Sequence, residues 1–410
     1  MPRKILVQKY GGSSVANPQR IIGVARRVLE TQRRGYDVVV VVSALGDTTD
    51  ELLELARQVC SDPSERELDV LMSTGEQISI ALLAMAIQQL GGRARSFTGA
   101  QAGILTDGTH TKAKIVTITP RRVKEELAQG QIVIVAGFQG RNTQDEITTL
   151  GRGGSDLTAV ALAKALKAEL CEIYTDVDGV FTADPRIVPN ARKLPTISYD
   201  EMLELASVGS QVMQARSMFV AKKYRVPMHV RSSFHKEAGT MITHETRAME
   251  NLLVTGVAVN KNQAKVTIQD VPDRPGIAGK IFKRLADGGI NVDMIVQNVS
   301  HTRHTDISFT VFATDLAKTL KITRQVAGRL GCGPVTTDEQ IAKVSVVGLG
   351  MRSHSGVAAQ MFEALARRKI NIEMISTSEI KISVVVRKAH AERAARALHR
   401  QFKLDQVGRG

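Results

Sequence analysis

The sequence contains no tryptophan, and aromatic residues of any kind make up only 4% of its 410 residues. Proteins that bind single-stranded nucleic acid commonly stack bases on aromatic side chains, so this scarcity argues against nucleic acid as a partner. The formal net charge of +14 would otherwise favour such a partner. Binding to an anionic lipid, or to polyanionic small molecules, is equally compatible with the charge.

Cysteines and long apolar runs are scarce as well. Cys60, Cys171 and Cys332 lie far apart, which excludes a disulfide framework and a cysteine-rich zinc site and suits a reducing compartment. The histidines show no metal-binding spacing, so no metal ligand is predicted. The densest apolar run, Val38–Val42, is far shorter than the roughly 20 residues that cross a bilayer. We therefore expect a cytoplasmic protein with no membrane segment.

The first 245 residues alternate between short apolar runs and amphipathic stretches. Runs typical of buried strands occur at Ile5–Gln8, Val38–Ser43, Ile132–Val135 and Glu172–Tyr174. Helical spacing or composition occurs at Arg20–Arg33, Ile78–Leu90 and Leu157–Leu166. This alternation predicts an α/β domain with a mainly parallel sheet and helices on both faces.

An internal repeat follows residue 247. Ala264–Ile268 matches Ala342–Val346, and Ile290–Ile295 matches Ile370–Ile375, so the separation grows from 78 to 80 residues. Each copy predicts a strand, a glycine-containing loop, a helix and two more strands. A duplicated βαββ unit of this size is more often a ligand-binding or dimerising module than a catalytic one.

Three glycine or aspartate clusters follow predicted strands of the first domain. Lys9–Ser14 contains two adjacent glycines, which let backbone N–H groups approach a phosphate closely, beside a lysine. A plain strand-to-helix turn remains an equally good interpretation of that motif alone. Leu150–Asp156 places an arginine among glycines before a helix, and Thr175–Arg186 contains spaced aspartates that favour nucleotide contact over a calcium loop.

Five segments occur in the order found in aspartate kinases: Lys9–Val15, Val42–Asp50, Ser73–Glu76, Leu150–Asp156 and Thr175–Arg186. The chain resembles in particular the monofunctional bacterial type with two C-terminal ACT modules, over essentially its whole length. The resemblance implies an amino-acid-kinase fold over residues 1–247 and ferredoxin-like α+β ACT modules at 248–340 and 341–410. The implied reaction is ATP plus L-aspartate giving 4-phospho-L-aspartate and ADP, the first step towards lysine, threonine and methionine.

The resemblance also implies roles for single residues. Lys9 would neutralise charge on the transferring phosphoryl group, and Asp156 would organise that lysine. Arg152 would bind the α-carboxylate of aspartate, and Glu76 would bind its ammonium group. The substrate pocket would be completed by Ser43, Thr49 and Ser155.

ATP would bind with Mg²⁺, which its phosphates and water would mainly hold. The nucleotide contacts implied besides Lys9 are Gly11, Gly12, Ser13, Thr175, Asp176, Asp178, Phe181, Asp184, Arg186, Ser210 and Gln211. Four positions depart from the family pattern, among them Ser355 and Ala358, which stand where lysine-plus-threonine-inhibited relatives carry proline and threonine. Gln211 stands where many relatives carry a nucleotide-binding lysine, and Phe219 stands where they commonly carry glutamate.

The ACT modules of such enzymes bind end-product amino acids, so we expect threonine, alone or with lysine, to favour a low-affinity state. The matching residues are Asp273, Gly276, Ile277, Ala278, Asn291, Val292, Asp293 and Gln297 in the first copy, and Val357, Ala358, Asn371, Ile372, Ser378 and Glu379 in the second. Assembly through the ACT modules is expected, either as a homo-oligomer or, with an internal start at Met249, as an α₂β₂ complex.

Two other functions stay open at this point. One is a kinase for another acidic substrate such as N-acetylglutamate, although an acetylated amine offers no ammonium group to Glu76. The other is a catalytically silent ACT amino-acid sensor. The presence of Lys9, Glu76, Arg152 and Asp156 together argues against a silent sensor.

Overall fold

The computed structural model describes residues 3–151, 153–209, 212–245, 252–298 and 303–406. These residues form two compact units. Unit 1 falls within residues 1–180, 193–207 and 211–246, and unit 2 falls within residues 181–192, 208–210 and 247–410. The chain therefore leaves unit 1 after Val180 and returns to it at Lys193.

Unit 1 is built around a mainly parallel sheet, as the alternating sequence pattern predicts. Its strands are β1 (Ile5–Tyr10), β2 (Asp37–Val42), β3 (Ala94–Phe97), β4 (Ile104–Thr106), β5 (Ile115–Ile118), β6 (Ile132–Ala136), β7 (Gln139–Arg141), β8 (Ile147–Thr149), β9 (Leu170–Thr175), β10 (Thr196–Ser198), β11 (Met228–Ser232) and β12 (Thr240–Thr243). The sheet order is β10–β12–β11–β9–β1–β2–β6–β3, in which the β11–β12 pair is antiparallel and the other pairs are parallel. The short strands form a separate sheet in the order β5–β4–β7–β8.

The helices of unit 1 are α1 (Pro18–Arg33), α2 (Thr48–Val59), α3 (Glu65–Gln89), α4 (Arg121–Ala128), α5 (Gly154–Leu166), α6 (Tyr199–Ser207) and α7 (Ala215–Tyr224). The valine run of β2 is fully buried, as expected for a central parallel strand with both faces covered. Asn17 caps α1 by accepting a hydrogen bond from the Arg20 backbone N–H.

Helix α3 is longer than the sequence predicts. The predicted helix Ile78–Leu90 begins at Glu65 instead, where Ser64 accepts a hydrogen bond from the Glu67 backbone N–H. The prediction missed this first half because it is rich in polar residues, several of which are buried. By length and composition α3 would also suffice to cross a membrane, but half of its 18-residue apolar window is buried within the protein. Such burial is typical of a core helix.

Unit 2 contains two antiparallel sheets, one for each copy of the repeat. Its strands are β13 (Gly256–Asn260), β14 (Gln263–Pro272), β15 (Ile295–Gln297), β16 (His304–Phe312), β17 (Val335–Asp338), β18 (Ile341–Val347), β19 (Met374–Thr377) and β20 (Lys381–Arg387), and its helices are α8 (Ile277–Asp287), α9 (Leu316–Leu330), α10 (Val357–Ala366) and α11 (Ala391–Gln401). The sheet orders are β15–β16–β14–β17 and β13–β18–β20–β19. The predicted strand, helix, strand, strand order is present in both copies.

Strand β13 crosses from one copy to the other. It precedes the first copy in the chain, and the sequence assigns it to residues 248–340 as a leading strand. In the structure it pairs antiparallel with β18, from Gly256 opposite Val347 to Asn260 opposite Lys343. The second sheet is therefore completed by a strand from before the first copy.

Candidate active site

The parallel strands of unit 1 end at one edge of the sheet, and the predicted site loops leave from that edge. In open α/β sheets this carboxyl edge is where ligands bind. The Gly11 N–H donates to the Tyr174 carbonyl at the end of β9 (3.3 Å), and the Ser43 N–H after β2 donates to the Tyr10 carbonyl (3.1 Å). The loops after β1, β2 and β9 are thus hydrogen-bonded to one another.

The first glycine cluster needs its glycines for space. A Cβ atom on Gly12 would lie 2.7 Å from the Gly46 carbonyl oxygen and 3.0 Å from that of Ala44. A Cβ atom on Gly11 would lie 3.4 Å from Lys9 Nζ. The turn after β1 is therefore packed against the loop after β2 and leaves room for the lysine amine.

Lys9 and Asp156 form an ion pair, with Nζ 2.7 Å from Oδ1. Their side chains are only 12% and 10% exposed. Asp156 lies in the first turn of α5, where the helix dipole favours negative charge. The pair joins the end of β1 to the beginning of α5.

The beginning of α5 is packed tightly against the loop after β6. A Cβ atom on Gly137 would lie 2.6 Å from Ser155 Oγ, so only glycine fits there. Gly153 precedes the helix with a φ of +70°, a left-handed conformation that favours glycine. Ser155 and Asp156 thus lie at a helix N-terminus, which is a favourable place for an anion.

Glu76 approaches the same edge from α3. Its Oε1 accepts a hydrogen bond from the Ala44 backbone N–H (3.2 Å), while its Oε2 has no hydrogen-bond partner among the described residues. The residue is only 3% exposed, and burial raises the pKa of its carboxyl group to about 7. Ser43 and Thr49 lie on the segment that Glu76 contacts, one in the loop after β2 and one in the first turn of α2. A cationic group next to Glu76 Oε2 would supply the missing partner of this buried oxygen.

The predicted nucleotide residues are divided between the two units. Thr175, Asp176 and Asp178 follow β9 in unit 1, where Asp178 Oδ1 accepts a hydrogen bond from His235 Nδ1 at 2.7 Å. This bond lowers the pKa of Asp178. Thr175 Oγ1 donates to Asp176 Oδ1 at 3.0 Å. Arg152, Ser210 and Gln211, like Met249, lie outside the described residues.

Phe181, Asp184 and Arg186 belong to unit 2, within Phe181–Arg192. Arg186 forms a forked pair with Asp184, with Nη2 2.8 Å from Oδ2, and the pair lowers the pKa of Asp184. In the same segment Thr182 Oγ1 lies 2.9 Å from Nε2 of the buried His399 on α11. The sequence gives no sign of this contact because 217 residues separate the two side chains.

Several supporting contacts of the site were missed by sequence reasoning. Ser14 Oγ lies 2.5 Å from Ser233 Oγ, and Arg20 Nη1 donates to the Ser13 carbonyl at 2.6 Å. The Tyr10 and Tyr174 rings stack with centroids 4.6 Å apart. A motif search cannot find these residues, because serine, arginine and tyrosine in single positions carry no spacing signal.

Phe219 lies outside this cluster of loops. It is 57% exposed on α7 and lines a groove of about 740 Å³ between β5, α5 and α7. Cationic side chains surround the groove: Lys114, Lys164, Lys167, Arg216 and Lys223. Among the described residues, none of the catalytic or substrate-binding residues predicted from the sequence lines this groove.

The predicted effector residues are arranged similarly in the two repeat copies. In the first copy Asp273 and Gly276–Ala278 lie at the beginning of α8, and Asn291–Asp293 and Gln297 lie before and within β15. In the second copy Val357 and Ala358 begin α10, while Asn371, Ile372, Ser378 and Glu379 flank β19. Asp293 is paired with Lys343 of the second copy.

Comparison with known proteins follows the same division of the chain. Residues 4–232 match the amino acid kinase family, and residues 268–325 and 344–402 match the ACT domain. The chain is 53% identical to the aspartokinase of Mycolicibacterium smegmatis over 405 aligned residues. The alignment covers 98% of this chain and 96% of that protein.

The structure of the chain is also similar to solved structures of Escherichia coli aspartokinase III. The chain is 26% identical to the R-state complex with aspartate and ADP, with a TM-score of 0.84 over 97% of this chain and 99% of that one. For the T-state complex with lysine and aspartate the TM-score is 0.73 at the same identity and coverage.

Proposed function

Since the chain belongs to the aspartokinase family, we propose that its active site lies at the carboxyl edge of the unit 1 sheet, around Lys9, Glu76 and Asp156. The chain transfers a phosphoryl group from ATP to the side-chain carboxylate of L-aspartate, which gives 4-phospho-L-aspartate and ADP. Phosphoryl transfer requires mainly positioning and charge stabilisation from the protein. The roles below are therefore electrostatic ones.

Lys9 is the cation for the transferring phosphoryl group. Asp156, 2.7 Å away, keeps the ammonium group in place before the substrates bind. Gly11, Gly12 and Ser13 follow Lys9 in the turn. The Gly11 N–H is bonded to the Tyr174 carbonyl, so the backbone N–H groups of Gly12 and Ser13 are the proposed donors to the phosphates of ATP, and Gly11 leaves the space for them. The space left by Gly11 next to the lysine amine supports this role, because a phosphate oxygen must approach both groups.

Glu76 binds the ammonium group of aspartate. The observation that carries this role is its buried Oε2 atom, which has no hydrogen-bond partner among the described residues. Leaving a buried carboxylate oxygen unpaired costs free energy, and an ammonium group restores the missing interaction. Ser43, Thr49 and Ser155 are proposed to complete the pocket, and Arg152 is proposed to bind the α-carboxylate.

ATP is proposed to bind with Mg²⁺. No group of three or more acidic, histidine or cysteine residues suited to a metal ion occurs in the described ranges. Mg²⁺ typically keeps several waters and binds through substrate phosphates, so this composition is compatible with it. Thr175, Asp176 and Asp178, together with Phe181, Asp184, Arg186, Ser210 and Gln211, are the proposed nucleotide contacts.

The decisive experiment is a coupled ADP-release assay with aspartate, glutamate and N-acetylglutamate as acceptors. We expect turnover with aspartate and a loss of at least about tenfold in kcat/KM for the acetylated compound. Glu76→Gln is expected to raise the KM for aspartate. The matched control is Glu201→Gln, because Glu201 is another buried carboxyl group of unit 1, bonded to Ser198. A kcat/KM for N-acetylglutamate equal to or above that for aspartate, or binding of aspartate without turnover, would reject the assignment.

The enzyme is under allosteric control, and we propose that threonine and/or lysine act through the two ACT modules. E. coli aspartokinase III binds lysine, which supports lysine as one effector. The proposed contacts are the residues around α8 and β15 and those around α10 and β19. We further propose a cytoplasmic enzyme that assembles through its ACT modules, as a homo-oligomer or an α₂β₂ complex. Titration of each amino acid during turnover tests the effectors, and unchanged activity at millimolar concentrations would exclude them.

A further inference from the structure

Asp69 is a fully buried carboxyl group that the roles above leave unused. It lies on α3 with 0% exposure, and its oxygens accept hydrogen bonds from three neighbours. The Thr111 backbone N–H donates to both oxygens at 3.0 Å, His110 Nδ1 lies 2.8 Å from Oδ2, and Thr149 Oγ1 lies 2.5 Å from Oδ1. A buried carboxyl group with hydrogen bonds to both oxygens is held in one position and can in turn hold the segments that donate to it.

The three donors belong to two segments that meet beside the proposed active site. Thr149 ends β8 and directly precedes the Leu150–Asp156 cluster. The second segment touches that cluster again, because a Cβ atom on Gly151 would lie 3.0 Å from the Thr111 carbonyl oxygen. The Ala113 N–H also donates to the Thr149 carbonyl at 2.9 Å. Asp69 thus holds both segments at the beginning of the cluster.

The same helix carries Glu76. Residues seven apart on an α-helix share a face and are separated by about 10 Å along the axis. Asp69 therefore joins, through one rigid element, the proposed ammonium ligand to the glycine cluster that begins α5. Arg216 holds the other side of this cluster, since its Nη1 donates to the Leu150 carbonyl (2.7 Å) and its Nη2 to the Ala113 carbonyl (3.0 Å).

We propose that Asp69 is a positioning residue that fixes the distance between Glu76 and the beginning of α5, and so sets the affinity for aspartate. The inference rests on the proposed function. It predicts a larger defect in aspartate binding than in ATP binding, because the glycine turn after β1, which is proposed to bind ATP, makes none of these contacts with Asp69 and is linked to α5 through the Lys9–Asp156 pair. A purely structural role would lower the melting temperature without changing the kinetic constants of the folded enzyme.

The test compares two neighbouring threonines of β8. Thr149→Val removes one donor to Asp69. Thr148→Val, on the same strand, removes instead the hydrogen bond between Thr148 Oγ1 and Thr106 Oγ1 of β4 (2.5 Å). Both hydroxyls are buried, so the stability effects are matched. We expect Thr149→Val to raise the KM and Kd for aspartate about fivefold or more, with the KM for ATP changed by less than about twofold. Thr148→Val should change neither constant, and Thr149→Ser should retain wild-type values.

If Asp69→Asn folds, it should weaken aspartate binding more than Thr149→Val does. If it does not fold, the comparison of Thr149→Val with Thr148→Val tests the positioning role. Equal constants for Thr149→Val and Thr148→Val would overturn the inference, as would an equal loss of affinity for ATP. Calorimetric titration of aspartate separates this failure from failure of the proposed reaction. If the wild-type enzyme binds aspartate without turnover, and Thr149→Val binds it more weakly, the proposed reaction is refuted and the positioning role of Asp69 remains.

Discussion

Lys265 of the first ACT module forms an ion pair with Glu373 of the second, with Nζ 2.5 Å from Oε2. The equivalent lysine of the second repeat, Lys343, pairs with Asp293 of the first, the residue equivalent to Glu373. Each lysine therefore binds the acidic residue of the other module. Since the lysine of each pair is largely buried, at 23% and 3% exposure, the two pairs fix how the modules meet.

Removing one of these pairs should weaken regulation without affecting the reaction. Lys343→Met keeps the length of the side chain and leaves Asp293 partly exposed to water. We expect the effector concentration for half-inhibition to rise about tenfold, because the coupling depends on a fixed contact between the modules. Basal kcat and the KM for aspartate should remain at wild-type values.

The matched control for that variant is Lys283→Met, which removes an exposed pair with Asp287 on α8 of the same unit. Exposed pairs of this kind contribute little, so its half-inhibition concentration should equal that of the wild type. Equal shifts in the two variants would contradict a specific role for the exchanged pairs.

Glu76 should make aspartate binding depend on pH near neutrality. Burial raises the pKa of its carboxyl group to about 7, and only the ionised form attracts an ammonium group. Between pH 6 and pH 8 the ionised fraction rises about tenfold, so the KM for aspartate should fall by a similar factor. Glu76→Gln should show a high KM without this dependence. A pH-independent KM in the wild type would contradict the assignment.

The raised pKa of Glu76 also predicts how the free energy of unfolding of unit 1 depends on pH. The pKa of Glu76 is higher in the folded protein, at about 7, than its ordinary value of 4.5, so the ionised form is disfavoured on folding. Stability associated with this group is therefore complete below about pH 4.5 and is lost as the pH rises towards and above 7. Glu76→Gln should stabilise unit 1 by about 3 kcal/mol at pH 8 and by close to zero at pH 4. Urea unfolding at the two pH values measures the difference, and an equal effect at both would refute it.

The sequence predicted the parts of the fold that local pattern determines. The uninterrupted valine run of β2 is typical of a buried parallel strand, and the matching segments of unit 2 recur at a nearly constant separation, so each leaves few alternatives. The beginning of α3 was missed because its buried residues, Asp69 among them, are polar and interrupt the apolar pattern. Strand β13 was assigned to the first module because its partner β18 lies far along the chain, and no local signal specifies such a pairing.

The candidate site was predictable to the extent that it follows motifs. Lys9 and Asp156 were paired by resemblance alone, and the structure has them at 2.7 Å. The Thr175–Arg186 motif reads as one continuous segment, yet its last residues belong to unit 2 because the chain leaves unit 1 after Val180. Contacts such as Ser14 with Ser233 depend on packing between distant segments, which a single sequence does not contain.

Gly12 should tolerate no side chain. A Cβ atom there would meet two backbone carbonyl oxygens, at 2.7 and 3.0 Å, and backbone atoms cannot move aside as a flexible side chain can. Gly12→Ala is expected to raise the KM for ATP about tenfold, because the turn that approaches the phosphates must shift. The control is Gly23→Ala in α1, where a Cβ atom meets nothing within 4 Å. That variant should keep its activity and gain about 0.5–1 kcal/mol in stability. Equal KM values for ATP in both variants would contradict the role of the turn.

Lys9 should be required for turnover but not for regulation. Its ammonium group is the proposed cation at the transferring phosphoryl group, so Lys9→Ala should lower kcat about 10³-fold. The control is Lys4→Ala, just before the same strand, where an exposed lysine pairs with Glu169 at 3.0 Å. Loss of that surface pair should leave kcat unchanged. Binding of the inhibitory amino acid, measured by calorimetry, should be equal in both variants because the proposed effector contacts lie in unit 2. A Lys9→Ala enzyme with near-wild-type kcat would remove this lysine from the mechanism, and weakened effector binding would show that the substitution disturbs more than the active site.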